Sequence, residues 1–513
     1  MDHLWKKYFD NNHTEVLEET LKYLANNNTA DYLHLTGLSL VGNGKIEEGK
    51  ALLFAASTLL PSQKNWFANA SVTLLAHDAQ AALQFATSGI VYHPSEPELY
   101  FHQGNAFVAL RRFTEGLAAF DQSLTMANSF DVLLNKGNCL RKMERQAEAL
   151  VCYEEILVSV PDNKPAMLGK AVCMVDQGRI LEAEPFFEKI LDMPEAAFLY
   201  GVIKLSKGQM KTGWHHYNQR WNCGFASTDR ALYKKPIPEH LEEIKDKTIL
   251  LVHEQGFGDT LQFIRFLPML KQHVKRVIVV VPKNLIRLLQ RIDPTVEFIP
   301  GRPTEDVYDY EIPMLNQPSL LGIDLTNIPN KPYLSAQSIY LPSPRLRVGL
   351  CWAGGNATPN VNARRSMHLK QFLPLKDLDV DFHSLQLGDA DNQRLECNWN
   401  MKVPLKANFD YMDTANVVNS LDLIITVDTS VAHLSAGLGK PTWILSRHDA
   451  CWRWLLDRSD SPWYPTVRLY RQPPPQPGAT FSKDWPSVVK KIHTDLSHRT
   501  KNNRPQTLFI NDL

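Results

Sequence analysis

Small and large apolar positions recur with a common spacing along the first part of the chain. Small residues return at intervals of 33, 34, 33, 34 and 30 residues, and each is followed twelve positions later by another. The first series is Gly37, Ala70, Gly104, Gly137, Ala171 and Gly201, and the second is Gly49, Ala82, Gly116, Ala149, Ala183 and Gly213. Aromatic residues follow the second series by four positions at Phe120, Tyr153, Phe187 and Tyr217. The spacing predicts antiparallel helix pairs, whose small residues let two backbones approach and whose aromatic rings fill the layer between pairs.

Prolines mark the predicted ends of the second helices. Pro61, Pro94 and Pro161 stand there because proline cannot continue a helix. The glycine, alanine and proline positions are similar to those of tetratricopeptide repeats over about residues 1–222, with a degenerate cap at the start. The resemblance implies a superhelix whose groove commonly binds peptides or partner proteins. The alternative is that the array only dimerises or braces the rest of the chain.

After residue 247 the pattern changes from helix pairs to alternating strands and helices. Buried strands are predicted at residues 248–253, 276–281 and 296–300, with a possible fourth at 308–313, and helical spacing covers 259–272. A second series follows at residues 346–353, 381–387, 423–427 and 442–446. The two series predict two parallel sheets with helices on both faces, and ligands of such folds bind at the carboxyl ends of the strands.

The net charge, the lengths of the apolar runs and the cysteine count exclude several classes of protein. The 513 residues hold 55 Lys and Arg against 55 Asp and Glu, so no net basic charge is available for nucleic acid or an anionic membrane. No apolar run reaches the roughly 18 residues of a membrane span, and none at the N-terminus suits a secretory signal. The seven cysteines are odd in number and include no C-x-x-C pair, which indicates reduced thiols and a cytoplasmic protein.

The first candidate site is the turn after the strand at 248–253. Gly256 and Gly258 allow a tight turn and a close backbone approach to a ligand, and Asp259 follows at a helix start. From spacing alone, Asp259 is favoured as a helix cap that accepts a backbone N–H bond.

The second candidate site is the turn after the strand at 423–427. Asp428 is followed by Thr429 and Ser430, whose hydroxyl groups and backbone donors at a helix N-terminus suit a phosphate. His433 lies one turn further on the same face, where an N–H-donating or cationic imidazole would suit a diphosphate leaving group. The alternative is a capped helix with a core histidine.

The third candidate site is the glycine turn at residues 352–356. Trp352 and Gly354 follow a strand, and Arg364 and Arg365 lie in the loop beyond, where arginine can pair with phosphate. A solvated basic loop is the alternative. A fourth segment, residues 449–465, carries three tryptophans that are expected to form a packed corner rather than to stack on a sugar or base.

These segments, taken in order, resemble one known group of proteins. The stretches are EQGFGDTLQF, GLCWAGG, DLIITVDTSVAHLSAGLGKPTW and WRWLLDRSDSPWYP, together with GWHHYNQRW in the last repeat. They are similar to bacterial tetratricopeptide proteins with a heptosyltransferase-like, family-nine glycosyltransferase region. The resemblance implies a GT-B fold and inverting transfer of a hexose or heptose from a nucleotide-diphosphate sugar, with no metal and no cofactor.

The resemblance also implies roles for individual residues. Asp259 would be the general base on the acceptor hydroxyl, and Gly256 and Gly258 would form the acceptor-side loop. The remaining implied roles are the diphosphate site, at Asp428, Thr429, Ser430, His433 and Arg364 or Arg365, and the nucleoside and sugar vicinity, at Trp352, Gly354, Ser384, Leu385 and Gln386. His433 would also stabilise charge on the departing diphosphate.

The expected layout is therefore an α + α/β chain with a tetratricopeptide superhelix before two Rossmann-like domains. The predicted segments are a repeat array at 1–222, a linker at 223–247, an acceptor-side domain at 248–340, a nucleotide-sugar domain at 341–498 and a mobile polar tail at 499–513. The expected partners are a nucleotide-sugar and a protein or peptide acceptor in the repeat groove, without nucleic acid or a membrane span. The alternatives are a non-catalytic scaffold with a degenerate nucleotide-binding region, and a nucleotide-responsive binding module.

Overall fold

The structure is a computed structural model with two compact units. It describes residues 1–24, 29–223, 232–304, 307–355, 362, 364–406, 408–449, 451–476 and 482–502. Contacts within the chain group Met1–Asp176 into the first unit and Gln177–Leu513 into the second. The predicted boundary at residue 222 therefore differs from the boundary of the compact units, because the last helices of the repeat series pack with the α/β part.

The first unit is an array of helices in antiparallel pairs. Its helices are α1 (Asp2–Phe9), α2 (His13–Leu24), α3 (Ala30–Gly42), α4 (Ile46–Leu59), α5 (Lys64–Leu74), α6 (Ala79–Tyr92), α7 (Pro97–Ala109), α8 (Phe113–Met126), α9 (Phe130–Lys142), α10 (Gln146–Ser159) and α11 (Lys164–Asp176). Helices α4, α6 and α10 each end two residues before one of the three predicted stop prolines. The chain thus begins with helical hairpins of the tetratricopeptide type, as the spacing predicts.

Small residues do bring the paired helices together. A Cβ added to Gly37 of α3 would lie 2.9 Å from the carbonyl oxygen of Gly49 in α4, and one on Gly49 would lie 2.7 Å from the carbonyl oxygen of Gly37. Between pairs, the buried ring of Tyr153 lies against Gly137 of α9 and Gly169 of α11, where an added Cβ would come within 2.8 and 2.5 Å of it. Both predicted roles are confirmed.

The second unit begins with three more helices of the series. These are α12 (Ile180–Glu188), α13 (Pro194–Ser206) and α14 (Met210–Tyr217), followed by a short 3-10 helix at Asn218–Asn222. Gly201 of α13 lies directly against the end of α14, since an added Cβ would lie 2.5 Å from the backbone nitrogen of Tyr217.

The first sheet of the second unit has four parallel strands in the order β3-β2-β1-β4. The strands are β1 (Thr248–Val252), β2 (Arg276–Val280), β3 (Glu297–Ile299) and β4 (Tyr310–Pro313), with helices α15 (Phe257–Phe263), α16 (Leu267–Leu270), α17 (Lys283–Leu289) and α18 (Gln317–Leu320). The helix predicted at 259–272 is divided into α15, α16 and 3-10 turns at Ile264–Phe266 and Lys271–His273. Pro268 at the start of α16 accounts for part of this division, because proline has no backbone N–H to donate and its ring clashes with the preceding turn.

The second sheet has five parallel strands in the order β6-β5-β7-β8-β9. The strands are β5 (Leu346–Cys351), β6 (Val380–Ser384), β7 (Leu423–Val427), β8 (Thr442–Ser446) and β9 (Val467–Arg471), with helices α19 (Gln393–Glu396), α20 (Tyr411–Asn419), α21 (Ser430–Gly437) and α22 (Trp485–Asn502). The two parallel sheets and the preceding helices confirm the α + α/β class. Strand β9 was not predicted, because Arg468 and Arg471 interrupt its apolar residues.

The end of the chain also differs from its prediction. Helix α22 continues to Asn502, and the guanidinium of Arg499 lies 5.1 Å from the ring centroid of Trp443. Residues 499–502 are therefore helical rather than part of a mobile tail, since one face of α22 is apolar and packs on the second sheet. Residues 503–513 lie outside the described residues. Within the described ranges, no helix is both long and apolar enough to cross a membrane.

One apolar cluster joins α13 and α14 to both sheets. Trp214 of α14 lies in a group of rings formed with Phe263, Trp452 and Trp463, at centroid distances of 6.1, 5.2 and 6.4 Å. The indole nitrogen of Trp214 donates to the carbonyl oxygen of Ile323 at 3.1 Å. The last helices of the series are therefore part of the α/β core.

We expect Gly201→Ala to destabilise the second unit by about 1–3 kcal/mol, because its new methyl group would overlap the backbone of α14. The overlap outweighs the roughly 1 kcal/mol that alanine gains over glycine inside a helix. Urea unfolding followed by tryptophan fluorescence would measure the change. Gly301→Ala is the control, because an added Cβ there meets nothing within 4 Å. A Gly201→Ala variant as stable as that control would contradict the close approach.

Candidate functional site

The helices that follow β1 and β7 pack against each other. Helix α15 follows β1 and α21 follows β7. A Cβ added to Gly258 in α15 would lie 3.0 Å from Cδ2 of His433 and 3.5 Å from the Cα of Ser430, both in α21. The structure therefore brings together the predicted acceptor-side loop and the predicted diphosphate residues.

Asp259 is held by two partners at the start of α15. One carboxylate oxygen accepts a hydrogen bond from the backbone nitrogen of Gly256 at 2.9 Å, and the other forms an ion pair with Arg453. Gly256 is the N-cap residue and Asp259 is the third residue of the helix, so the predicted capping bond is present but comes from inside the first turn. The role of Asp259 as a general base stays a prediction.

Arg453 was not among the predicted site residues. Its guanidinium lies 4.3 Å from the ring centroid of Trp452, and Nη1 lies 3.1 Å from the sulfur of Cys451. Burial acts to lower the pKa of Arg453, but Asp259, Cys451 and Tyr217 together outweigh it, so the pKa is raised and the cation is retained. A positive residue between two tryptophans, Trp452 and Trp454, was the available signal in the sequence. All three tryptophans of this segment are buried, as the packed-corner prediction expects.

His433 is enclosed, with only 4% of its surface exposed. Its ring stacks on Trp454 with centroids 5.3 Å apart and planes 16° from parallel, and Nδ1 lies 3.0 Å from the hydroxyl of Tyr464. Burial, with the charges of Arg453, Arg265 and Arg365, holds the pKa of His433 well below its usual value of 6.5. The imidazole is therefore neutral, which leaves the N–H-donating form of the two predicted for it.

The start of α21 carries the other predicted diphosphate residues. Thr429 is the N-cap residue, and its hydroxyl lies 3.2 Å from that of Thr426. The hydroxyl of Ser430 accepts a hydrogen bond from Tyr411 at 2.9 Å. Asp428 is partly buried and forms no ion pair with any residue that the structure describes.

The two candidate arginines have different surroundings. Arg364 forms an ion pair with Asp449. The Nε and Nη2 atoms of Arg365 each lie 2.8 Å from where a Cβ of Gly354 would be, so this glycine makes room for the guanidinium. Arg365 has no carboxylate partner within the described part of the chain. Of the two, Arg365 has the charge that an anion could balance.

The residues predicted near a nucleoside support the loop after β5. The side-chain oxygen of Gln386 accepts from the backbone nitrogens of Trp352 at 3.1 Å and Ala353 at 2.9 Å, and Ser366 accepts from the nitrogen of Gly354 at 3.0 Å. The indole of Trp352 is completely buried in an apolar cluster with Trp443, so it is a core side chain, and its place in the vicinity of a nucleoside or sugar stays a prediction. Asn356, in the same predicted turn, lies outside the described residues.

Ser384 is also a supporting residue. Its hydroxyl donates to Asp391 at 2.7 Å, and Asp391 is paired with Arg394 through two bonds of 2.7 Å. Residues 389–391 read Asp-Ala-Asp, an arrangement that the prediction of a metal-free site overlooked. Of these two aspartates, Asp391 already has its charge balanced by Arg394.

Among the described residues near His433, positive groups outnumber negative ones. Three guanidinium groups act on its ring, and Asp259 balances that of Arg453. The donors of Arg265 go to neutral oxygens: the carbonyls of Gln262, Pro329 and Trp463 and the hydroxyl of Tyr333. The surplus of positive charge suits an anionic ligand. Arg265 could have been found in the sequence as the single charge in the apolar run 261–270.

The comparisons with known proteins found a curated relative and several solved structures of repeat proteins. No family model matches the chain. Among curated proteins, it is similar to protein FlbA of Caulobacter vibrioides (strain ATCC 19089 / CIP 103742 / CB 15), with 24% identity over 436 residues that cover 74% of this chain and 71% of FlbA.

Two similar solved structures each cover less than half of this chain. A tetratricopeptide repeat protein from Parabacteroides merdae ATCC 43184 is 15% identical over 45% of this chain and 94% of its own, with a TM-score of 0.39. YrrB, described as a tetratricopeptide protein with an unusual peptide-binding site, is 16% identical over 35% of this chain and 97% of its own, with a TM-score of 0.27. Because both TM-scores are low, the assignment of helical repeats rests on the hairpins of this chain and not on these similarities.

We expect Asp259→Ala to destabilise the second unit by about 3–5 kcal/mol, because it leaves the buried cation of Arg453 without a partner. Combining it with Arg453→Met should restore part of the loss. Urea unfolding of both variants would measure this. The control is Asp460→Ala, which breaks the more exposed pair with Arg458 and should cost about 0–1 kcal/mol. Equal losses in Asp259→Ala and the control would show that the buried ion pair contributes little.

Proposed function

We propose that the second unit is an inverting, metal-independent glycosyltransferase of the GT-B type that takes a sugar from a nucleotide-diphosphate donor. The observation that carries the proposal is Arg365, which lies against Gly354 and has no carboxylate partner among the described residues. Strands β5 and β7 are neighbours, and the sulfur of Cys351 at the end of β5 lies 4.0 Å from the hydroxyl of Thr429. The Arg365 loop and the N-terminus of α21 therefore share one edge of the second sheet.

This arrangement provides what a departing diphosphate requires. The N-terminus of a helix offers backbone N–H donors and the positive end of its dipole to a phosphate. Arginine can add two parallel hydrogen bonds to the same group. Donors that are already in place stabilise the charge that grows on the leaving group, and they do so without rearranging during the reaction. Arg365, Thr429 and Ser430 are the residues in these roles.

Asp259 lies in the first turn of α15, which packs against α21, and from there it would act on the acceptor hydroxyl. Each of its oxygens has one partner, the nitrogen of Gly256 or the guanidinium of Arg453. A carboxylate has about four lone-pair positions, so an acceptor hydroxyl can donate a further hydrogen bond without displacing either partner. The general base would take the proton as the new bond to the anomeric carbon forms.

The repeats would present the acceptor, which we propose to be a protein or peptide. Arrays of helical hairpins offer an extended surface that suits a chain in extended conformation. FlbA is similar over most of its length, so the same combination of repeats and α/β region is expected in that protein as well.

A non-catalytic scaffold is the second candidate. It is favoured by the existing contacts of Asp259 and by the enclosure of His433, which resemble a structural network. In that case the α/β region would be a degenerate, non-catalytic one that binds nucleotide weakly or not at all.

The deciding experiment is a thermal-shift panel of ADP-, UDP-, GDP- and CMP-linked sugars on the full chain. A ligand at 100 times its dissociation constant should stabilise the protein by roughly 2.7 kcal/mol. We expect one nucleotide to give a shift that Arg365→Gln abolishes. Arg345→Gln is the matched control, because Arg345 lies just before β5, is half-exposed and pairs with Asp381 of β6.

The outcomes separate the candidates. A shift that is lost in Arg365→Gln and kept in the control, with release of the nucleoside diphosphate in the presence of acceptor, supports the transferase. Binding without turnover for any peptide or protein acceptor tried would instead indicate a nucleotide-responsive binding module. No shift with any sugar nucleotide at millimolar concentration would refute the donor site and favour the scaffold.

A further inference from the structure

A short hydrogen-bond network lies behind His433, on the side away from Gly258. Its members are Tyr464, Tyr333 and Arg265. The hydroxyl of Tyr464 lies 3.0 Å from Nδ1 of His433 and 3.4 Å from the hydroxyl of Tyr333. The network therefore decides which ring nitrogen of His433 carries the proton, since a neutral imidazole has one donor and one acceptor.

Arg265 supplies a buried positive charge to this network. Only 3% of its surface is exposed, and its guanidinium lies 4.3 Å from the ring centroid of Tyr464 and 4.7 Å from that of Tyr333. Its hydrogen bonds go to neutral oxygens, so the charge is not balanced there by a carboxylate among the described residues. The guanidinium of Arg265 would repel a positive charge on the imidazole, and this repulsion helps to keep His433 neutral.

The protons of the two phenols can be accounted for. Tyr333 donates its proton to the carbonyl oxygen of Leu261 at 2.6 Å and accepts from Nη2 of Arg265 at 3.2 Å. It has no second proton for Tyr464. Burial raises the pKa of Tyr464, so this phenol keeps its single proton. Its proton can go to Nδ1 of His433 at 3.0 Å or to the hydroxyl of Tyr333 at 3.4 Å, and the shorter contact favours Nδ1 as the acceptor.

The opposite edge of the imidazole faces the start of α15. A Cβ on Gly258 would lie 3.0 Å from Cδ2 and 3.7 Å from Nε2 of His433. With Nδ1 accepting from Tyr464, the ring proton is on Nε2. An N–H donor is then directed to the place where the two helices meet, beside Ser430.

We propose that Tyr464 is a positioning residue that holds His433 as the neutral Nε2–H tautomer, so that the histidine acts as a fixed hydrogen-bond donor to a phosphate oxygen rather than as an acid or base. The phosphate part of this inference rests on the proposed function. The tautomer itself does not. Ring orientation is maintained by stacking on Trp454, and the proton position is set by Tyr464.

The experiment is nitrogen NMR of the full chain labelled with ¹⁵N-histidine, in which His433→Gln identifies the signals of His433. The wild-type protein should show a protonated Nε2 and an unprotonated Nδ1. Tyr464→Phe removes the donor to Nδ1 and should produce a mixture of tautomers. Tyr333→Phe is the matched control, because the Tyr464 contact to His433 remains and the tautomer should not change.

A binding measurement with inorganic pyrophosphate tests the donor role. Tyr464→Phe should weaken binding about 2- to 10-fold, corresponding to the loss of one ordinary hydrogen bond. An Nδ1–H or doubly protonated His433 in the wild type would overturn the proposal. Unchanged pyrophosphate binding in Tyr464→Phe would overturn the donor role. If wild-type protein shows the expected tautomer but does not bind pyrophosphate, the proposed function fails while the tautomer assignment stands.

Discussion

The buried contact of Trp214 with Trp452, Trp463 and Phe263 is the interaction on which the second unit depends. These rings come from the last hairpin, from the segment before β9 and from α15, so their common burial joins parts of the chain that are far apart in sequence. Large aromatic side chains stabilise such a contact because each removes much apolar area from water. Trp452 also supports the guanidinium of Arg453, which in turn orients Asp259. The position of the candidate base therefore depends on the last hairpin of the repeat series.

Charge is the second constraint on the candidate site. Burying a cation is costly unless nearby groups compensate for the lost water. Asp259 does this for Arg453, whereas Arg265 is surrounded by carbonyl oxygens, a hydroxyl and aromatic faces. Arg365 has no such compensation within the described residues. A site built in this way favours an anion, and its buried guanidinium groups keep His433 neutral.

The residues of the candidate site could be predicted from the sequence only in part. Turns directly after strands led to Gly258, Asp259 and the start of α21, because a parallel sheet places the carboxyl ends of its strands at one edge. Arg453 and Tyr464 were not predicted, since they lie in a segment whose tryptophans indicated only packing. Trp352 was placed near a ligand because it follows a strand, yet its side chain points into the core. Local spacing does not specify to which face a side chain turns at the end of a strand.

The sequence by itself determined the classes of element and their order: helix pairs with a period near 34 residues, then two series of strands and helices. Both follow from local physics, because small residues at a fixed spacing allow close helix packing and buried parallel strands require continuous apolar runs. Only the tertiary structure decided that the last hairpin belongs to the α/β unit, that β9 completes the second sheet, and that Arg453 meets Asp259. These contacts join residues that are far apart in the chain, 194 positions in the Asp259–Arg453 pair and more in the Trp214–Trp463 contact, and no local spacing specifies them.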